Sequence, residues 1–261
     1  MSFSNENTAA HQLHMLISRV RSSSQADVAL AWSEVLDAEW GSHEFARRHS
    51  EVVALLQMTI RQVTALPERA RTRCERHVDA WWFAVIQPLI NWRDTNRSPL
   101  SIIDDDKLDH LESTADLISG NLVGSDAAPR SADLAGIADR CNEWIELLAS
   151  LSESEIDGPV RDQLISQLRH LIWLIDNAGL FGGARVAEEA STVIGSLTQT
   201  GASLVNVRDE NVNRWKKALL AFVTACVVFN QASPILQQSI TAGEGLVREI
   251  ASVVEDFHDQ G

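Results

Sequence analysis

Residues 218–243 are the longest stretch of the chain without a formal charge, and residues 218–229, ALLAFVTACVVF, are almost wholly apolar. Arg214, Trp215, Lys216 and Lys217 stand directly before them, and two of the chain's three lysines are in that cluster. A basic, aromatic flank on an apolar helix is the pattern of a membrane span entered from the cytoplasmic side. Length weighs against a span, because crossing a bilayer takes about 20 consecutive apolar residues, whereas a run of about 10 to 14 suits a buried core helix. Beyond Phe229 come Asn230, Gln231, Ser233, Pro234, Gln237, Gln238 and Ser239, whose polar groups would need partners inside lipid. The stretch therefore predicts a central helix, apolar all round because neighbours surround it. Pro234 opens a further helix where its missing N–H is no loss, with Ser233 as N-cap. Two helices are expected here, near 209–231 and 234–257.

The rest of the chain supplies amphipathic helices to pack on that core. Leu13, Leu16, Ile17 and Val20 follow the three-and-four spacing of one helix face, and Val28, Ala31, Trp32, Val35 and Leu36 repeat it after the break at residues 22–25. Gly41 and Ser42 mark a turn and a cap before a long helix from about His43 to Leu66. Pro67 ends it and starts the next, which runs to Trp92, charged in its first half and apolar in its second, with Pro88 to kink or end it. Asp104, Asp105 and Asp106 open a helix that stops at Gly120, since acids suit the positive end of a helix. Residues 121–130 form the best candidate linker. Helices at 131–151, 158–178 and 183–199 follow, with Ser131, Asp133, Asp157, Gly158 and Pro159 as start signals and Gly179 and Gly201 as stops. No strand alternation of useful length occurs. The expected fold is an all-α, multi-helix bundle of about eight to ten amphipathic helices around the central apolar C-terminal helix. Its regions are 1–120 and 131–261, which could share one core.

Charge narrows the partners. The formal net charge is −14, and neither half of the chain is basic, so a duplex nucleic acid is not an expected partner. The Arg-rich segment Arg69–Arg76 is the one local exception. Cys74, Cys141 and Cys226 are far apart and lack zinc spacing, which predicts buried free thiols in a reducing compartment. No basic segment followed by an apolar one opens the chain, so a cytoplasmic location is expected.

Four constellations bear on chemistry. Arg71 and His77 stand in RTRCERH, and this spacing resembles the Arg-x4–6-His pattern of HEPN ribonucleases. That resemblance implies an all-α fold, a toxin or defence setting, and metal-independent RNA cleavage by an Arg and a His on one helix, the His as acid or base. The alternative is a solvated Arg-rich helix end. His11 and His14, and Glu255 and His258, each share a helix face. A di-iron bundle needs two Glu-x-x-His helices and two further glutamates, so no metal and no cofactor are expected. Residues 177–183, NAGLFGG, precede a helix but lack the Lys and Ser or Thr of a P-loop, which leaves a helix–loop–helix corner. No nucleophile stands in a recognisable setting and no small-molecule ligand is indicated. Trp81 and Trp82 are adjacent and cannot share one narrow helix stripe. One is expected to face the core and the other a second domain or chain, since tryptophan is enriched at interfaces.

The expectation is a non-enzymatic protein-interaction or oligomerisation protein, whose contact residues are Trp81, Trp82, Trp215, Lys216, Lys217, Phe222 and Phe229. A membrane-active effector that releases residues 214–229, in a bacterial defence or toxin setting, is the alternative. A HEPN-like ribonuclease is the second alternative.

Overall fold

A computed structural model describes residues 8–87, 91–121, 131–202 and 209–229, apart from the side chains of 131–133, 209 and 227–229. Among the described residues there are ten α-helices, one 3-10 turn and no strand. The chain divides into two compact units, one of residues 1–123 with 178–185, the other of 124–177 with 186–261.

The first unit is built from α1 (Ala9–Arg21), α2 (Val28–Leu36), α3 (His43–Thr64), α4 (Glu68–Glu75), α5 (Val78–Ile86), a 3-10 turn (Pro99–Ile102) and α6 (Asp105–Asn121). The Oγ1 of Thr8 caps α1 by accepting from the His11 N–H at 3.3 Å. Leu13, Leu16, Ile17 and Val20, all 0% exposed, form its core face, which packs on α2, α3 and α6. α6 runs antiparallel to α1, since His11 meets Asp116 at 3.2 Å and Arg21 meets Asp105 at 2.7 Å. Gly41 takes a positive φ of 80°, and Ser42 then caps α3 by accepting from the Phe45 N–H at 3.0 Å.

The single helix expected from Pro67 to Trp92 is two helices. It breaks at Arg76 and His77, where His77 has φ −114° and ψ −4° and precedes α5. Each piece is fixed separately to α6. Thr114 donates to the Cys74 Sγ at 3.4 Å, and the Trp81 indole N–H donates to the Lys107 carbonyl at 3.1 Å. α5 ends at Ile86 because Gln87 turns left-handed, with φ 46°; Pro88 lies outside the described residues. Further on, Trp92 folds back. Its carbonyl accepts from the Ala29 N–H at 2.9 Å, and Arg93 reaches the buried Asp27 at 3.2 Å. Asp27 also caps α2, accepting from the Leu30 N–H at 2.8 Å. Residues 178–185 close this unit. Gln12 donates to the Leu180 carbonyl at 2.5 Å, and Arg185 pairs with Glu51 at 2.7 Å, both side chains buried.

The second unit contains α7 (Ser131–Ser150), α8 (Gly158–Asp176), the later part of α9 (Ala178–Ala202) and α10 (Asp209–Phe229). α7 packs on both α8 and α10. Its Ile137, Cys141, Trp144 and Leu148 meet a core that also takes Leu168 and Leu171 of α8 and Leu219 and Phe222 of α10. Trp144 and Trp215 meet edge to face at 4.7 Å.

Two expectations change here. α10 is not enclosed on all sides. Trp215, Leu219, Phe222, Val223 and Cys226 are buried, a three-and-four stripe on one face, while Lys217 and Thr224 are exposed and Leu220 is 56% exposed. The expected helix at 234–257 lies outside the described residues. The glycines also act differently from the stops expected of them. α8 ends at Asp176 with Asn177 as its cap, and Gly179 and Gly201 are helical within α9. The corner glycine is Gly182, with φ 79°.

Candidate interaction surface on α4 and α5

α4 is an eight-residue helix that buries one side chain, Cys74. Arg69, Arg73 and Arg76 follow at steps of four and three, which places them on one side of the helix. All three are exposed, and none has a carboxylate partner among the described residues. Arg71 differs, lying 3.7 Å from Glu75. Side chains of like charge at these steps repel one another by a few tenths of a kcal/mol per pair, about 0.2–0.5. The row therefore works against the helix that carries it.

α5, the next helix, exposes aromatic groups. Trp81 is 0% exposed, whereas Trp82 is 39% and Phe83 41% exposed. Their rings meet edge to face at 5.3 Å. Trp82 is the one exposed tryptophan of the chain's eight, so the others have found cover and this one has not. The adjacent pair thus splits between core and surface, because neighbours on a helix point about 100° apart.

At the turn between the two helices, the His77 ring stacks on His110 of α6 at 3.9 Å and 14°. The His77 Nδ1 is buried and has no hydrogen-bond partner. Burial and the neighbouring imidazole of His110 hold the His77 pKa below the ordinary histidine range. Arg71 and His77 lie on opposite sides of the break at residues 76–77, not on one continuous helix.

The other residues singled out from the sequence lie elsewhere. Trp215 and Phe222 are in the core of the second unit, Lys216 is half-buried and Lys217 exposed. Phe229 is the last residue of α10, and its side chain lies outside the described residues. No described helix is long and apolar enough to cross a membrane. His11 lies 3.0 Å from the Thr8 hydroxyl as well as meeting Asp116, and His14 lies 3.4 Å from the Ser18 hydroxyl. Glu255 and His258 are outside the described residues, among which no group of three or more His, Cys, Asp or Glu is placed to hold a metal ion. Asp105 and Asp106 pair with Arg21 and Lys107. All three cysteines are buried free thiols. Burial pushes the Cys141 thiol up to about 12, and the Cys226 thiol is raised by the same cause, so neither forms a reactive thiolate near neutral pH.

Sequence reasoning reached Trp82 and the Arg-rich segment but missed Phe83, Leu220 and the one-sided arrangement of Arg69, Arg73 and Arg76. The four-and-three spacing was the available signal for that row. Which arginine finds a carboxylate depends on packing.

The fold defines an all-α, multi-helix protein of two compact units, the first of which exposes arginines on α4 and aromatic side chains on α5. No protein family, curated protein or solved structure matches the chain.

Proposed function

We propose that this is a non-enzymatic interaction protein that associates with itself through the α4–α5 edge of its first unit. The observation that carries the reading is the exposed Trp82–Phe83 pair. Contact energy in protein interfaces concentrates in a few aromatic and arginine side chains that become fully desolvated. Trp82 and Phe83 are such anchors, and the unpaired arginines of α4 are of the type that surrounds them.

Sedimentation velocity on the purified chain tests this. The expected result is a concentration-dependent assembly that the combined Trp82→Ser and Phe83→Ser substitution returns to monomer, with an unchanged helical circular dichroism spectrum. A wild-type chain that remains monomeric at every concentration refutes the reading.

A membrane-active effector is the second reading, and it draws on one observation. Leu220, 56% exposed, is on the same helix as the exposed Lys217, an apolar and basic combination suited to an anionic lipid surface. Against it, Phe222 and Cys226 are committed to the core of the second unit. Flotation with anionic liposomes, lost on Leu220→Ser, would favour it. The ribonuclease reading has less support, because Arg71 pairs with Glu75 and the helix breaks before His77. Unchanged RNA on incubation with the chain, and no effect of His77→Ala, are the expected results.

A further inference from the structure

The same unit carries a second charged row, of opposite sign. Asp109, Glu112 and Asp116 follow on α6 at steps of three and four, and all three are exposed. Asp109 and Glu112 make no hydrogen bond or ion pair among the described residues; their charge acts on His14 across the α1–α6 contact. Asp116 lies 3.2 Å from His11 and keeps 74% of its side-chain surface exposed.

The two rows fit each other in one orientation. The arginines are spaced four then three, and the acids three then four. Set antiparallel, Arg76 falls opposite Asp109, Arg73 opposite Glu112 and Arg69 opposite Asp116. Each row spans eight residues, seven helical steps or about 10.5 Å at 1.5 Å per step. Antiparallel helices also place opposite dipole ends together. Within one copy the rows cannot meet. α4 turns Cys74 toward Thr114 of α6, and by helical spacing each charged row lies on the side of its helix away from that contact.

We infer that the occupant of the α4 arginine row is the α6 acidic row of a second copy of this chain, joined head to tail. This rests on the self-association reading and adds its partner surface and register. Exposed ion pairs contribute little individually, so Trp82 and Phe83 supply the affinity and the charged rows set the orientation. Because the two surfaces differ, the contact is heterologous, and it either closes into a ring or continues as a filament.

Charge reversal in the full chain tests it. Arg69→Glu, Arg73→Glu and Arg76→Glu together are expected to weaken self-association at least about tenfold at about 0.1 M salt. Asp109→Arg with Glu112→Arg is expected to do the same. Mixing the two charge-reversed proteins is expected to restore assembly, since each then meets a row of opposite sign. Salt titration of the wild-type chain gives a second measurement that involves no substitution. Association should weaken toward about 1 M salt, where the screening length is about 3 Å. Wild-type assembly that ignores both charge reversals, or a mixture that fails to recover, overturns the inference and leaves the aromatic contact standing. Loss of an anionic polymer from the arginine variant with self-association unchanged also overturns it, in favour of a polyanion on α4. A wild-type chain that never associates removes the underlying reading as well.

Discussion

Gly201 separates helix propensity from packing at a single position. In a helix interior, alanine is favoured over glycine by about 1 kcal/mol, so Gly→Ala in α9 should stabilise wherever there is room. At Gly201 there is none. A Cβ built there stands 2.6 Å from the Trp215 Nε1 and 3.3 Å from its Cδ1. Trp215 has little freedom to retreat, being 4% exposed with its ring against Trp144 at 4.7 Å. Gly201 is one residue from the end of α9, where the propensity gain is reduced by fraying. Overpacking a filled core costs about 1–3 kcal/mol. The net expectation for Gly201→Ala is destabilisation by about 1–2 kcal/mol. Gly195 on the same helix is the control. It is exposed, and an added Cβ meets nothing within 4 Å, so Gly195→Ala should stabilise by up to about 1 kcal/mol. Urea unfolding of the two variants beside the wild type reads the difference. If Gly201→Ala is as stable as Gly195→Ala, the Trp215 contact is not tight and the reasoning fails.

Three further outcomes follow from buried groups. Phe222→Asp places a carboxylate at a 0% exposed position and should cost more than about 4 kcal/mol, seen as loss of helical circular dichroism; a folded, soluble variant would mean the α10 face is loosely held. Arg185→Met leaves the buried Glu51 without its 2.7 Å partner and should cost about 3–5 kcal/mol. Adding Glu51→Gln should recover part of that loss in a double-mutant cycle, and strict additivity would contradict the pairing. Burial lowers the pKa of His14, His49 and His77, so the folded state prefers each ring neutral. Their stabilisation is complete above the unfolded value of about 6.5 and declines as pH falls from there toward the folded values. The urea midpoint should therefore drop between about pH 7.5 and 5.5, less steeply in His49→Gln. An equal slope would exclude His49, whose ring lies among Trp32, Phe45 and Trp92, as a source.

Much of the helix pattern was legible locally. The core faces of α1 and α3, the Ser42 cap and the start of α8 at Gly158 follow from spacing and cap chemistry that a few neighbouring residues carry. The Trp81–Trp82 division was legible too, since adjacent helical side chains cannot share a face. The Asp27 cap on the Leu30 N–H is equally local, whereas its second contact, to Arg93 66 residues away, is set only by packing.

The sequence by itself determined that this chain is helical and, from −14 net charge, that its surface is acidic; periodicity and charge count are properties of the chain before it folds. Only the tertiary structure decided what each helix meets. Pattern alone cannot tell an apolar helix enclosed on all sides from one seated on α7 with Leu220 exposed, because the difference belongs to the neighbours. Nor can it place the break at Arg76 and His77, which belongs to two separate anchors on α6, Thr114 for Cys74 and the Lys107 carbonyl for Trp81. The arginine row exists for the same reason: its side chains are unpaired because of where the acids of other helices come to lie, and that is fixed only when the helices pack.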